Sequence, residues 1–182
     1  MTAPPGRGDG AGSGPCLYRE VQHFRQWWLW VLIAGIAGVS VWSFVQQVVM
    51  DRPFGQNPGP DWVVIVTGAV FGLGLPALFC AANLTTEVRP DGLYYRFFPF
   101  HWSFQRIPPE RLAGFAPHGY SPLRDYGGWG IRYASGGKAY NVSGNRGVML
   151  ELSDGRKLLI GSQKPEEMAE AMALAFGRKA GG

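Results

Sequence analysis

The chain has 182 residues, a formal net charge of +4 and a mean hydropathy of -0.04, values that alone would describe an ordinary soluble domain. Its basic residues are dispersed, with 13 Lys/Arg against 9 Asp/Glu from Thr85 onward, and no dense run marks a nucleic-acid binder. Cys16 and Cys80 supply neither a disulfide framework nor zinc-ligand spacing.

Residues 1–16 form a Gly/Pro-rich leader with almost nothing to bury, and disorder is expected there. Cys16, in that leader, reads as a solvated, inert thiol. The average hydropathy hides two charge-free stretches, Trp27 to Met50 and Trp62 to Thr86, each of more than twenty residues. At about 1.5 Å per residue, either crosses a hydrocarbon core of roughly 30 Å. Residues 17–86 are therefore expected to form a transmembrane helical hairpin, with spans at about 27–50 and 62–84. The first apolar run begins late and is too long for a cleavable signal peptide, so a retained signal-anchor is expected.

The distribution of Lys and Arg sets the expected orientation. The residues before Trp27 include Arg7, Arg19 and Arg25, and Arg89 and Arg96 follow the second span, whereas the intervening loop has Arg52 against Asp51 and Asp61. Both termini are accordingly assigned to the cytoplasm, in a multi-pass protein of the cytoplasmic membrane. Trp27, Trp28 and Trp30 read as aromatic anchors at the inner interface and Trp62 at the outer one. Gly68 and Gly72 share one helix face that permits close approach, and mutual packing of the two spans is favoured over homodimerisation. Gln46 and Gln47 fall near the outer end of the first span, within reach of water. Pro76 is expected to kink the second span. Neither span holds an Asp, Glu, Lys, Arg or His, which disfavours a pump or channel.

Beyond residue 86 the pattern changes to short strands divided by turn residues. Leu84–Arg89 and Leu93–Phe98 flank Pro90-Asp91-Gly92, a hairpin signal. Phe104–Ile107 and Leu112–Pro117 read as strands, and residues 117–128 as a Gly/Pro-rich loop. Trp129–Ala134 and Lys138–Val142 flank Ser135-Gly136-Gly137, and alternating strands around Val148–Leu152 and Lys157–Gly161 follow. Pro165, Glu166 and Glu167 suit a helix N-terminus. Met168, Ala171, Met172, Ala175 and Phe176 form the apolar stripe of that helix, which ends at Gly177 before a tail at 178–182. The expected fold is α+β: a two-helix transmembrane hairpin, then over residues 87–177 an antiparallel β-barrel of about seven strands capped by a C-terminal helix. This is the layout of a pleckstrin-homology-like (PH-like) domain.

Four segments carry a closer likeness: Val21-Gln-His-Phe-Arg-Gln-Trp-Trp-Leu-Trp30, Arg96-Phe-Phe-Pro-Phe-His101, Tyr126-Gly-Gly-Trp-Gly-Ile-Arg-Tyr133 and Gly137-Lys-Ala-Tyr-Asn-Val-Ser-Gly-Asn-Arg-Gly-Val148. With them the chain resembles an uncharacterised bacterial family of two-span membrane proteins bearing a bacterial PH-like domain. The resemblance covers nearly all of the chain after the leader. It implies a PH-like domain at the membrane and no particular reaction.

Catalysis has little support in the sequence. His23, His101 and His118 are scattered, no metal or cofactor is expected, and a membrane enzyme would require His101, His118 and Asp125 to converge. Two binding candidates remain. Arg132, Lys138, Asn141, Asn145 and Arg146 read as a polar patch for an anionic headgroup or an acidic partner. Phe97, Phe98, Phe100 and Trp102 exceed what one strand buries and read as membrane-interface aromatics beside Trp27, Trp28 and Trp30. The leading expectation is a non-catalytic, membrane-tethered interaction module that binds a partner protein or another copy of itself. The alternative is a domain responsive to anionic lipid headgroups. Membrane lipids are expected partners and nucleic acid is not.

Overall fold

A computed structural model of the chain describes residues 14–55, 59–134 and 137–177. It contains two compact units, the helical residues His23–Ala82 and a sheet domain made of the residues up to Gln22 and from Asn83 onward. The expectations for most of the leader and for the tail at 178–182 lie outside the described residues.

In the helical unit, α1 (Trp27–Phe44) continues through a π-helical turn at Val45–Val49, giving one apolar helix of 23 residues. The second helix, Asp61–Ala81, has 21 residues and comprises α2 (Asp61–Thr67), a π-helical stretch Gly68–Gly74, and α3 (Leu75–Ala81). Both are long and apolar enough to cross a membrane. Only 11% of either apolar window is buried within the chain, unlike the core helix of a soluble protein. Gly68 faces the Phe44 side chain and Gly72 faces Val41 and Ser40, so the small residues serve packing between the two helices, as expected. Pro76 has no N–H, and the π-helical register runs up to the turn that contains it. Gln47 is not left to water: its amide donates to the Gly59 carbonyl (2.7 Å) and to Asp61 Oδ1 (2.9 Å), tying the end of one helix to the start of the next.

The sheet domain holds two open sheets. The first has the order β1 (Tyr18–His23), β2 (Asn83–Arg89), β3 (Gly92–Phe98), β4 (Gln105–Ile107). The second runs β5 (Leu112–Gly119), β8 (Arg146–Leu152), β9 (Lys157–Gly161), β7 (Gly137–Asn141), β6 (Gly130–Ala134). The expected barrel of about seven antiparallel strands is thus corrected, among the described residues, to nine strands in two sheets that do not close, with one parallel pair, β7 and β9. The added strand is β1, in residues that the sequence assigns to the hairpin. It lies beside β2, although the whole helical hairpin separates the two in the chain. A short helix, α4 (Pro122–Tyr126), also occupies the expected loop at 117–128. Pro122 opens it, the Asp125 carboxylate accepts the Ser121 N–H (2.7 Å), and Gly127 closes it in the left-handed conformation.

The C-terminal helix α5 (Pro165–Phe176) packs on β2 and β3 of one sheet and on β5 and β8 of the other. Met168 and Met172 of its stripe are fully buried, and Phe176 meets Phe115 edge-on at 6.4 Å. On the second sheet Leu159 and Ala139 are covered by Tyr120 and Tyr126, the latter on α4, and β9 is consequently buried on both faces. Gly147 opposes Gly161 across β8 and β9, where a Cβ on Gly147 would collide with the Ile160 carbonyl.

A buried carboxylate joins β1 to β2. Glu87 is 3% exposed and is held by Arg89 (2.8 Å) and, from β1, Arg19 (3.5 Å). Arg89 Nη1 also donates to the Gly14 carbonyl (2.8 Å). Arg89→Ala should therefore destabilise the full chain by about 3 kcal/mol, because it leaves a buried charge with one distant partner. Thermal unfolding of the detergent-solubilised protein checks this, and the double variant Arg89→Ala/Glu87→Ala should lose less.

Candidate functional site

The five residues of the expected polar patch fall in two places. Arg132 is exposed on β6 and donates to the Trp129 carbonyl (3.1 Å). Asn141 is fully buried, and its Oδ1 accepts the Gly130 N–H (2.9 Å), a structural bond that pins β6 to β7. Asn145 lies in the turn before β8, where its carbonyl accepts the Tyr120 N–H, and exposed Arg146 pairs with Glu166 of α5. Asn145 and Arg146 border a shallow recess with Arg124 and Asp125. Lys138 stands elsewhere, in a larger groove with none of the other four.

That groove, about 690 Å³, is lined from both sheets. Tyr95 of β3 and Arg106 of β4 come from the first sheet; Tyr133 of β6, Lys138 of β7, and Arg156 and Lys157 at the β8–β9 turn come from the second, with Arg111 between them. Among the described residues, five cations and no carboxylate line it. Carboxylates outside the lining pair with four of these cations. Asp91 meets Arg106 (3.7 Å), Glu151 meets Lys157 (3.1 Å), and Asp154 is shared by Arg156 (2.6 Å) and Arg111 (4.0 Å). Lys138 is the exception. Its ammonium lies 4.7 Å from the Tyr140 ring centre and 5.1 Å from that of Tyr133. Burial alone would lower its pKa, but hydrogen bonding to the Tyr140 and Tyr133 hydroxyls outweighs that and raises it, so the cation is retained at neutral pH. Sequence reasoning missed Arg106, Arg111, Arg156 and Lys157. They fall in two groups about 45 residues apart in the chain, and only the tertiary structure brings those groups to one surface with Lys138.

The aromatic candidates also separate. Phe97 is buried in the core, and Phe98 is half-buried against Trp102 at 5.8 Å. Phe100 and Trp102 are 66% and 82% exposed, in the loop between β3 and β4. Phe98 pairs with Asn83, so this loop sits at the end of the sheet where β2 begins, two residues after the second apolar helix ends at Ala81. In the helical unit Trp27 and Trp28 are exposed, while Trp30 donates to the Phe24 carbonyl (2.9 Å).

His101 belongs to the same loop and packs against Tyr140 (5.4 Å) and Tyr95 (6.1 Å), next to Lys138. His118 is on β5 near Asp125. β5 and β7 are three strand spacings apart, about 14 Å, so the imidazole packed on Tyr140 and that of His118 occupy different regions of the sheet. Among the described residues no group of three His, Cys, Asp or Glu could hold a metal ion.

Two long apolar helices inserted between neighbouring strands of an α+β domain define the class of protein. The chain belongs to the family of unknown function DUF6141, whose model matches residues 11–178. No curated protein and no solved structure matches it.

Burial, and secondarily the Lys138 ammonium, hold the His101 imidazole below its ordinary value. As pH falls below about 6.5, the unfolded chain therefore takes up the proton first. The stability contributed by neutral His101 is present above that pH and is lost as pH drops through the lowered folded value. His101→Gln should flatten the fall in thermal stability between about pH 7 and pH 5 relative to the natural chain. An unchanged slope would show that His101 does not contribute.

Proposed function

We propose that the protein is a non-catalytic binding module of the PH-like kind, tethered by its helical hairpin to the inner face of the cytoplasmic membrane. The neighbouring positions of β1 and β2 carry this reading. The chain leaves β1, runs through both apolar helices and re-enters the same sheet at β2, so a membrane crossed by both helices leaves the two strands on one side. The arginines before the first helix and those after the second support the cytoplasm as that side. A helix that packs on strands of both sheets supports the PH-like assignment.

The ligand surface follows from the same domain. A partner protein or a second copy of the chain is the expectation from sequence. The cation-lined groove is the specific observation that favours an anionic ligand.

Cysteine labelling tests the tethering. In a Cys16→Ser/Cys80→Ser background, Gly59→Cys should react with an impermeant maleimide in intact spheroplasts, and Ser153→Cys only after permeabilisation. Labelling of Ser153→Cys in intact spheroplasts, or equal labelling of both variants, would overturn the reading.

A further inference from the structure

We infer that the groove between β4 and the β6–β7 hairpin binds the phosphate of an anionic phospholipid headgroup, with Lys138 as the cation at its centre. This deepens the tethered-module reading and rests on it for the source of the ligand, but not for the chemistry of the site.

The cation count is the first support. Arg106, Arg111, Lys138, Arg156 and Lys157 converge from strands and turns of both sheets on one concave surface, and no acidic side chain among the described residues lines it. Asp154 serves two arginines at once and Lys138 has no carboxylate within ion-pairing distance among the described residues, so the surface carries more positive charge than its neighbours neutralise. A phosphate oxygen is the acceptor that planar guanidinium forks and an ammonium recognise together.

The position of Lys138 is the second. The other four cations are about half exposed or more, and each is already paired with a carboxylate. Lys138 is half-buried between Tyr133 and Tyr140, which hold its ammonium in one place before any ligand arrives. A held cation loses less side-chain freedom on binding than a solvated surface lysine does.

The third is what adjoins the groove. His101 packs on Tyr95 and on Tyr140, the latter in contact with Lys138, and belongs to the loop that exposes Phe100 and Trp102. That loop is at the end of the sheet where β2 follows the second apolar helix. The strand that precedes this loop supplies Tyr95 to the groove, and exposed aromatic rings of this kind favour a lipid headgroup over a free solute as the source of the phosphate.

The test uses the full chain in a non-ionic, short-chain detergent at about 0.15 M salt, where interactions between exposed charges are screened. The probes are dioctanoyl phosphatidylglycerol, dioctanoyl phosphatidic acid, dioctanoyl phosphatidylcholine and free glycerol phosphate. Bound copies are counted by native mass spectrometry and stabilisation is followed by thermal shift. Saturable binding of the two anionic lipids is expected, about tenfold or more tighter than that of the zwitterionic lipid or of free glycerol phosphate. Lys138→Met should weaken it by about tenfold, the loss of one charged hydrogen-bonding partner. Arg156→Gln, at an exposed turn position that leaves the core untouched, should weaken it as well, whereas Arg146→Gln, outside the groove, should not. Undiminished binding by Lys138→Met and Arg156→Gln, or no preference for the anionic lipids, would overturn the site. Free glycerol phosphate binding as tightly as the lipids would overturn the lipid as source. Neither result depends on the spheroplast labelling, so failure of the groove and failure of the tethering are distinguishable.

Discussion

Hydrogen-bonded pairing between strands is local in space and indifferent to the length of chain that joins them. Here β1 lies beside β2, with a pair of helices of 23 and 21 residues between them in sequence. Without β1 the first sheet would present the row of backbone groups along β2 as an open edge. The pairing also makes the sheet domain discontinuous, since a strand from before the helices completes a sheet built after them. Closing so long a loop costs only slowly increasing entropy, and the hairpin shortens the effective loop by bringing its own ends back together.

Buried polar groups concentrate where β1 meets the rest of the domain. Glu87, almost wholly buried, is met by Arg19 from β1 and by Arg89 from its own strand. Glu20 reaches in the other direction, accepting hydrogen bonds from the Tyr18 and Ser162 hydroxyls (both 2.6 Å) and from the Gln163 N–H (2.8 Å). Buried Gln22 donates to the Gly161 carbonyl (2.7 Å). β1 therefore links the first sheet to the segment between β9 and α5. Charges and amides that are costly to bury unpaired define one register for this strand, since a shift by one residue would strip each of its partner.

The groove and the core follow different rules. Core residues such as Leu84, Val88 and Met172 are buried because apolar area leaves water, and the alternation of the strands encodes them. The groove's cations obey no such period. They lie on strand edges and turns, where each reads in isolation as a solvated surface charge, and their meaning comes from convergence. Lys138 illustrates the point: its neighbours Tyr133 and Tyr140 flank it in the hairpin, yet only the pairing of β7 with β9 brings it to Lys157 and Arg156.

Much of the fold was legible in the residues. Charge-free runs of membrane length, the Pro90-Asp91-Gly92 turn and the Met168/Met172 stripe each follow from local physics, as does close packing at Gly68 and Gly72. The short helix α4 also left signals, Pro122 at its start and Gly127 at its end, which its Gly/Pro-rich surroundings disguised. β1 was illegible because six residues beside a long apolar helix have no period long enough to announce a strand; their partner β2 decides their conformation. The candidate patch was partly legible: Lys138 lines the groove, while Asn141 is spent on a backbone bond and Arg146 on Glu166. By itself the sequence determined the two apolar helices, most strands and the capping helix, because hydrophobic burial and turn chemistry are encoded within a few residues. Tertiary structure alone decided which strand completes the first sheet and which cations share a surface, because both depend on contacts between residues distant in the chain.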